Sequence, residues 1–233
     1  MNCPTSPSEK IALVQRMELF SDVSSAACGT IISSAYEKRH WRRQTIFSEG
    51  DPIQQVMMLL SGCVKITQQG LNGKEAILRL SGIGEVVGDF QPFANGKHFS
   101  TAQTVQPSVA LVWKVTRFEE LLDLFPVFRR NTVRALEERL REMEQRFREV
   151  STENVGSRLS SELIRLSNRF GCGVNSQSEI PLSRGELAQL TGTTLSTVSR
   201  LLCQWQRLGI VIIRREVVQV CDFSALAQLT LSE

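Results

Sequence analysis

The sequence predicts an α+β fold: an N-terminal antiparallel β-roll or jelly roll, a long connecting helix, and a C-terminal winged helix-turn-helix. Three observations carry that prediction. Short β-type runs broken by glycine turns fill the chain from Trp41 to Thr116. An apolar repeat at spacings of 3 and 4 follows, at Val133, Leu136, Leu140, Met143, Phe147 and Val150. From Leu182 to Arg215, two capped amphipathic helices flank a glycine. The resulting division is a β-roll domain over 1–125, a helix and hinge over 126–153, and a winged helix-turn-helix over 154–233.

In chain order, residues Glu9 to Tyr36 read as one or two short helices, with Ile11, Leu13, Val14, Met17, Leu19 and Phe20 on a partly apolar face. The β-type runs are RRQTIFSEGD, QQVMMLLSGCVKITQQ, KEAILRLSGIGEVVGDF, FSTAQTVQPS and VALVWKVT. Turn signals separate or interrupt them at Gly50-Asp51, Ser61-Gly62, Asn72-Gly73, Gly82 to Gly84 and Asn95-Gly96. Pro126 starts the long helix, since proline suits a first helical turn. Its a/d seam, Val133 to Val150, is narrow and flanked by arginines and glutamates, the pattern of a parallel helix–helix dimer. The same stripe would also suit a helix lying on its own β-roll. The seam breaks between Ser151 and Asn154, where Asn154 caps a helix over Val155 to Asn168. A capped break between two rigid helices makes a hinge, and Gly171 to Glu179 makes a loop.

The helix pair is the most informative stretch. Ser183 and Glu186 form an S-x-x-E capping box, and Leu187 and Leu190 give the first helix its apolar face. Gly192 ends it, and Thr194 caps a second helix with apolar positions Val198, Leu201, Leu202 and Trp205. Ala188 allows close approach of the two backbones. The exposed side of the second helix then holds Ser196, Thr197, Ser199 and Arg200, side chains able to donate to phosphates and base edges in a major groove. An ordinary helical hairpin with a polar face is the competing reading. The β-branched runs around Arg214, Arg215 and Glu216 read as a small hairpin behind the helices.

Bulk charge does not decide the function. The 233 residues carry a formal net charge of +3. From Ser151 onward there are eight arginines and no lysine against seven acids. DNA affinity would therefore have to come from arrangement. The N-terminal MNCPTSPSEK lacks a signal-peptide core and VMMLL is too short to span a bilayer, so the expectation is a cytoplasmic protein without membrane contact. The six scattered cysteines then read as reduced thiols.

The stretch LSRGELAQLTGTTLSTVSRLL, with its V-S-R ending and the hairpin behind it, resembles the DNA-binding domain of the cyclic-AMP receptor protein and fumarate–nitrate reductase regulator (CRP/FNR) family. The N-terminal half resembles that family's cyclic-nucleotide-binding β-roll through Gly50-Asp51, Gly62, Gly84 and GEVVGDFQPFANGKHFSTAQ. The resemblance implies a homodimeric, sequence-specific transcription regulator with three kinds of partner: double-stranded DNA carrying an inverted repeat, RNA polymerase, and a small-molecule or gas effector. It implies that Arg200 reads a guanine bidentately with Ser199 in support, and that Ser183, Arg184, Thr194 and Thr197 contact phosphates. Ser196 stands where many members carry a glutamate. For the effector it points to Gly88, Asp89, Phe90, Phe99, Ser100 and Thr101 on the β-roll, and to Met143 and Glu144 on the long helix.

The effector chemistry departs from the family pattern. In nucleotide-binding members an Arg-Ser pair holds the cyclic phosphate, and here Phe99-Ser100 occupies that place. A phenylalanine gives a buried phosphate no charge-assisted partner. Where cyclic-AMP-binding relatives present Thr-Ser to the adenine, this chain has Met143-Glu144. Cyclic AMP is therefore disfavoured, and Phe90, Phe93 and Phe99 suggest a more apolar effector pocket. An iron–sulfur cluster is disfavoured too, because Cys3, Cys28 and Cys63 lack the close thiolate spacing it needs. Haem stays open through His40, His98, a methionine or a cysteine, although neither histidine lies in a paired motif. No metal site or catalytic residue is expected.

Two other function classes compete. A cupin-type metalloenzyme needs several histidines and a carboxylate on its strands, and only His40 and His98 exist. A cyclic-nucleotide-responsive regulatory subunit without DNA binding would have no use for the helix-turn-helix. The reading is not an enzyme.

Overall fold

In the computed structural model, residues 7–88, 96–170 and 179–231 are described. The chain divides into two units, Met1–Gln69 with Leu78–Arg141, and Gly70–Ile77 with Glu142–Glu233.

The first unit opens with α1 (Pro7–Val14), a 3-10 turn (Glu18–Phe20) and α2 (Ser25–Ser33). Ser24 caps α2 by accepting from the Ala27 amide. Six strands follow: β1 (Tyr36–His40), β2 (Thr45–Phe47), β3 (Gln55–Gln69), β4 (Glu75–Ser81), β5 (Val86–Val87) and β6 (Thr101–Lys114). They form one sheet in the order β1-β6-β3-β4, with β2 also on β6 and β5 also on β3. The pairings of β6 with β1, β2 and β3, and of β5 with β3, are antiparallel, as the sequence predicts. Register runs from Tyr36↔Val112 to His40↔Ser108, and from Val56↔Trp113 to Thr67↔Thr101.

Buried side chains form two separate cores here. Met58, Leu60, Leu111 and Trp113 pack with Leu19, Phe20, Cys28, Ile31, Phe118 and Phe128. Met57, Leu59, Val64, Ile66, Ala110 and Val112 pack with Phe47 and Val87. Alternate residues of one strand thus serve opposite faces, and both faces are buried. This explains why VMMLL is continuously apolar instead of alternating. The indole N–H of Trp113 donates to the Ile31 carbonyl at 2.9 Å, tying α2 to the sheet.

Four expectations for this unit need correction. Tyr36 belongs to β1 and not to a helix, because the charged YEKRH segment is an edge strand whose side chains are largely exposed. Gly62 is a bulge inside one long β3 and not a turn. Its φ is +92°, and the register shifts on either side of it. The last two predicted runs are a single β6 through Pro107, which lies opposite that bulge, where no ladder N–H is required. The structure also inserts α3 (Val115–Leu124) where the sequence reading had strand up to Thr116.

α4 runs from Pro126 to Thr152, beginning where the proline predicts. The second unit continues with α5 (Val155–Phe170), β7 (Glu179–Ile180), α6 (Arg184–Thr191), α7 (Leu195–Arg207), β8 (Val211–Arg214), β9 (Val217–Val220) and α8 (Phe223–Leu231). Asn154 Oδ1 accepts from the Ser157 amide at 3.0 Å, the expected cap. β8 and β9 form the predicted hairpin, Val211↔Val220 to Arg214↔Val217, and β7 adds a third strand on β9. Leu159, Leu163, Leu187, Val198, Leu202, Trp205, Val218 and Leu226 are buried. Neither β7 nor α8 was anticipated from the sequence.

Candidate nucleic-acid interface

The helix pair is built by its caps. Ser183 Oγ accepts from the Glu186 amide at 3.2 Å, and the Glu186 carboxylate accepts from the Ser183 amide at 2.9 Å. Gly192 ends α6 with φ 61° and ψ 43°. Nothing crowds the place its Cβ would take, so glycine is required there by the left-handed backbone and not by space. Ala188 is buried, and its carbonyl accepts from both the Gly192 and Thr193 amides.

α7 then begins on a cluster of hydroxyls. Thr194 Oγ1 accepts from the Thr197 amide at 3.2 Å and lies 2.9 Å from both Ser196 Oγ and Thr197 Oγ1. Val198 and Leu202 are fully buried and Trp205 nearly so, which fixes the helix's rotation. At 100° per residue this leaves Ser196, Arg200, Cys203 and Arg207 on the outer side, and all four are exposed. The helix contains no acid. A 13-residue helix with hydroxyls at its N-terminus, where the backbone dipole favours anions, and unopposed arginines along its outer face is a surface for phosphates and base edges.

The other predicted contacts divide by availability. Thr194 and Ser196 are exposed, while Thr197 and Ser199 are half-buried. The Arg184 side chain is half-buried and makes no hydrogen bond or ion pair among the described residues. Ser183 already donates its hydroxyl hydrogen to Glu186 at 2.8 Å, so a phosphate contact from that oxygen would compete with the cap. Arg215, at the tip of the β8–β9 hairpin, is exposed, whereas Arg214 pairs with Glu179 at 2.9 Å.

Sequence reasoning missed the ionic side chains behind this surface. Arg158 of α5 donates to the Glu153 carbonyl at 2.7 Å and to the Thr191 carbonyl, at the end of α6, at 3.3 Å. Arg165 binds Glu149 and Glu162, and Arg146 binds Glu162 at 2.9 Å. Both glutamates are buried. Burial alone would raise the Glu149 carboxyl. The hydrogen bonds and charge of Arg165, helped by Gln145 and Arg148, hold it below the usual carboxylate range. Arg146 and Glu162, like Glu149 and Arg165, lie 16 residues apart, outside any local pattern; Arg165 and Glu162 are a local pair three residues apart.

On the β-roll, Gly88 has φ +93°, and a Cβ there would press on the Phe47 ring. Phe47 stacks on His98 at 3.6 Å. Ser100 is buried, and Thr101 is half-buried with its hydroxyl accepting from the Glu49 amide. Phe99 is 53% exposed, and Ser100 beside it, just before β6, is buried. Asp89, Phe90 and Phe93 lie outside the described residues. Met143 and Glu144 are exposed on α4. Two cations escaped the sequence reading. Arg79 donates to Ser81 Oγ and to the Gly88 carbonyl, and Arg139 of α4 donates to the Val86 carbonyl.

His40 is buried, and among the described residues neither ring nitrogen has a hydrogen-bond partner. Burial, reinforced by the Lys38 charge, lowers its pKa. Cys28 and Cys63 are buried free thiols, and Cys203 and Cys221 are exposed ones. Among the described residues no three His, Cys, Asp or Glu side chains gather as a metal site.

Known proteins match both halves. The cyclic nucleotide-binding domain family covers residues 37–124, and the Crp-like helix-turn-helix domain family covers residues 157–229. The CRP-like cAMP-activated global transcriptional regulator of Mycobacterium tuberculosis is 24% identical over 218 residues, 93% of this chain and 97% of that protein. The fumarate and nitrate reduction regulatory protein of Escherichia coli K12 is 28% identical over 191 residues, 80% of this chain and 75% of that protein. Among solved structures, FixK2 of Bradyrhizobium japonicum shares the fold with a TM-score of 0.75 at 20% identity, over 85% of this chain and 98% of that one.

Proposed function

Because this chain belongs to the CRP/FNR family of DNA-binding transcription regulators, we propose that it works as a homodimer on inverted-repeat DNA and answers to an effector other than cyclic AMP. The observation that carries the dimer is the seam of α4. Val133, Leu136, Leu140, Met143, Phe147 and Val150 are between 40% and 76% exposed, so a stripe of six apolar side chains stands uncovered by the described residues of the single chain. A stripe on an a/d spacing is covered most economically by its own copy in parallel. Two copies would present two α7 helices, each with Ser196, Thr197, Ser199 and Arg200 outward or half-outward, to successive turns of a major groove.

In this reading Arg200 reads a guanine, while Arg184, Thr194 and Thr197 hold phosphates. The partners are DNA, RNA polymerase and a small-molecule or gas effector in the β-roll. The site of action is the cytoplasm, in keeping with a DNA partner. Among the described residues no helix is long and apolar enough to cross a membrane. Support for a non-cyclic-AMP effector comes from the exposed, uncharged Phe99 at the Arg-Ser position and from Met143-Glu144 in place of a hydroxyl pair. Replacing Leu136 and Leu140 together with glutamate tests the dimer. Sedimentation should show monomers that no longer hold DNA, and a double variant that stays dimeric would contradict the seam.

A further inference from the structure

The end of α4 and the length of α5 form an antiparallel helical hairpin closed by alternating charges. Along it, Glu142 meets Arg169 at 3.8 Å, Arg146 meets Glu162 at 2.9 Å, and Arg165 bridges Glu149 and Glu162 at 2.7 Å each. Gln145 adds a 3.0 Å bond to Glu149. The inner members are deeply buried: Glu149 is 4% exposed and Glu162 is 2% exposed. Ion pairs this enclosed contribute little net stability compared with apolar packing of the same volume. What they do impose is direction, because each guanidinium fork donates to its carboxylate in a narrow range of orientations.

The hairpin is joined to the reader through hydrogen bonds. Arg158, one turn before Glu162 on α5, clamps the hinge carbonyl of Glu153 and the last α6 carbonyl of Thr191. Gly192 and the Thr194 cap of α7 follow directly. Ser157 donates to the Leu229 carbonyl of α8 at 3.3 Å. Three of the seam residues, Met143, Phe147 and Val150, lie on the same stretch of α4 as Arg146 and Glu149. Seam end and α5 are therefore linked by oriented ion pairs, and α5 is linked to the hinge and the end of α6 by the Arg158 hydrogen bonds.

From this geometry we infer that the Arg146–Glu162–Arg165–Glu149 lattice, with Arg158, positions the reader helix and so determines which half-site spacing the dimer accepts. The inference rests on the homodimer reading above. With the reader locked to the seam, the distance and rotation between the two α7 helices are fixed. Adding one base pair between half-sites moves the second by about 3.4 Å and turns it by roughly 35°, which a locked pair of readers cannot follow. With the lattice removed, each reader turns on the hinge and follows its half-site.

The test uses the full-length protein and three DNA duplexes. One is the inverted repeat that wild type selects from random DNA; the other two carry one base pair more or one fewer between the half-sites. Two variants are compared with wild type. Arg165→Met breaks the lattice but leaves buried carboxylates uncompensated. Arg165→Met combined with Glu149→Gln and Glu162→Gln removes those charges as well, which protects folding. Wild type should lose about tenfold or more in affinity on each altered spacer, and the triple variant about threefold or less. A merely structural lattice would lower the melting temperature while leaving that ratio unchanged, and an unchanged ratio in the folded triple variant overturns the inference without touching the dimer reading. If wild type selects no inverted repeat at all, both readings fall.

Discussion

Arg165 grips Glu149 with both terminal nitrogens, Nη1 at 2.7 Å from Oε1 and Nη2 at 2.8 Å from Oε2. This bidentate pair sits where the apolar repeat of α4 ends and α5 turns back. It fixes the end of α4 against α5 within the second unit.

Stability should fall with acid in two windows. Glu149 has a folded-state pKa below its unfolded value, so its contribution is complete above about pH 4.3 and is lost as pH falls through the folded value. His40 is also depressed, by burial first and then by Lys38. Its contribution is complete above about pH 6.5 and declines below that, because the unfolded chain takes up the proton more readily. Thermal melts from pH 8 to 3 should therefore show one loss beginning near 6.5 and a second near 4. Glu149→Gln should flatten the lower step and leave the upper one. An identical acid profile in the variant would contradict the ion pair.

Gly62→Ala should destabilise the β-roll by about 2 kcal/mol or more, a cost made of a strained positive φ and a steric clash. A Cβ there would collide with Ser108 Oγ and lie 2.7 Å from the Pro107 carbonyl oxygen. Gly50→Ala, also at positive φ but with nothing within 4 Å, should cost less. Chemical denaturation of both variants measures the difference, and equal losses would mean that the bulge is not tightly packed.

Titration calorimetry with cyclic AMP should show no binding in the micromolar range. Phe99 offers the phosphate no charge, although Arg79 and Arg139 lie near the backbone of Val86 and Gly88. Micromolar binding that is lost in Arg79→Ala would mean that this arginine supplies the missing cation.

The legible parts of the sequence were those written in local chemistry. Ser183 with Glu186, Gly192, Thr194 and Asn154 each act within four residues of themselves, and all four form the caps or turn that their spacing predicts. The seam of α4 is likewise a local period. What escaped was decided by distant partners. β1 carries an edge strand's charges and so hides its β character, and Gly62 is a bulge only because Pro107 and Ser108 oppose it. Arg165 and Glu149 look like ordinary surface charges until α5 folds back. The apolar effector pocket was read from Phe90, Phe93 and Phe99 together; the first two lie outside the described residues, and Phe99 is 53% exposed.

The most direct measurement of the central claim is binding-site selection from random DNA, run at two salt concentrations with wild type, Arg200→Ala and Arg184→Ala. Wild type should recover an inverted repeat with one strongly preferred G·C pair per half-site, matching the bidentate reach of a guanidinium to guanine O6 and N7. Its neighbour should be less strictly specified, because Ser196 is too short to read cytosine as a glutamate would. Arg200→Ala should lose about 1–3 kcal/mol per half-site and flatten the preference at that pair. Arg184→Ala should weaken all sequences alike and lower the salt slope by about one unit per subunit. If Arg200→Ala selects the same half-site as wild type, Arg200 is not the base reader and the assignment of this helix fails.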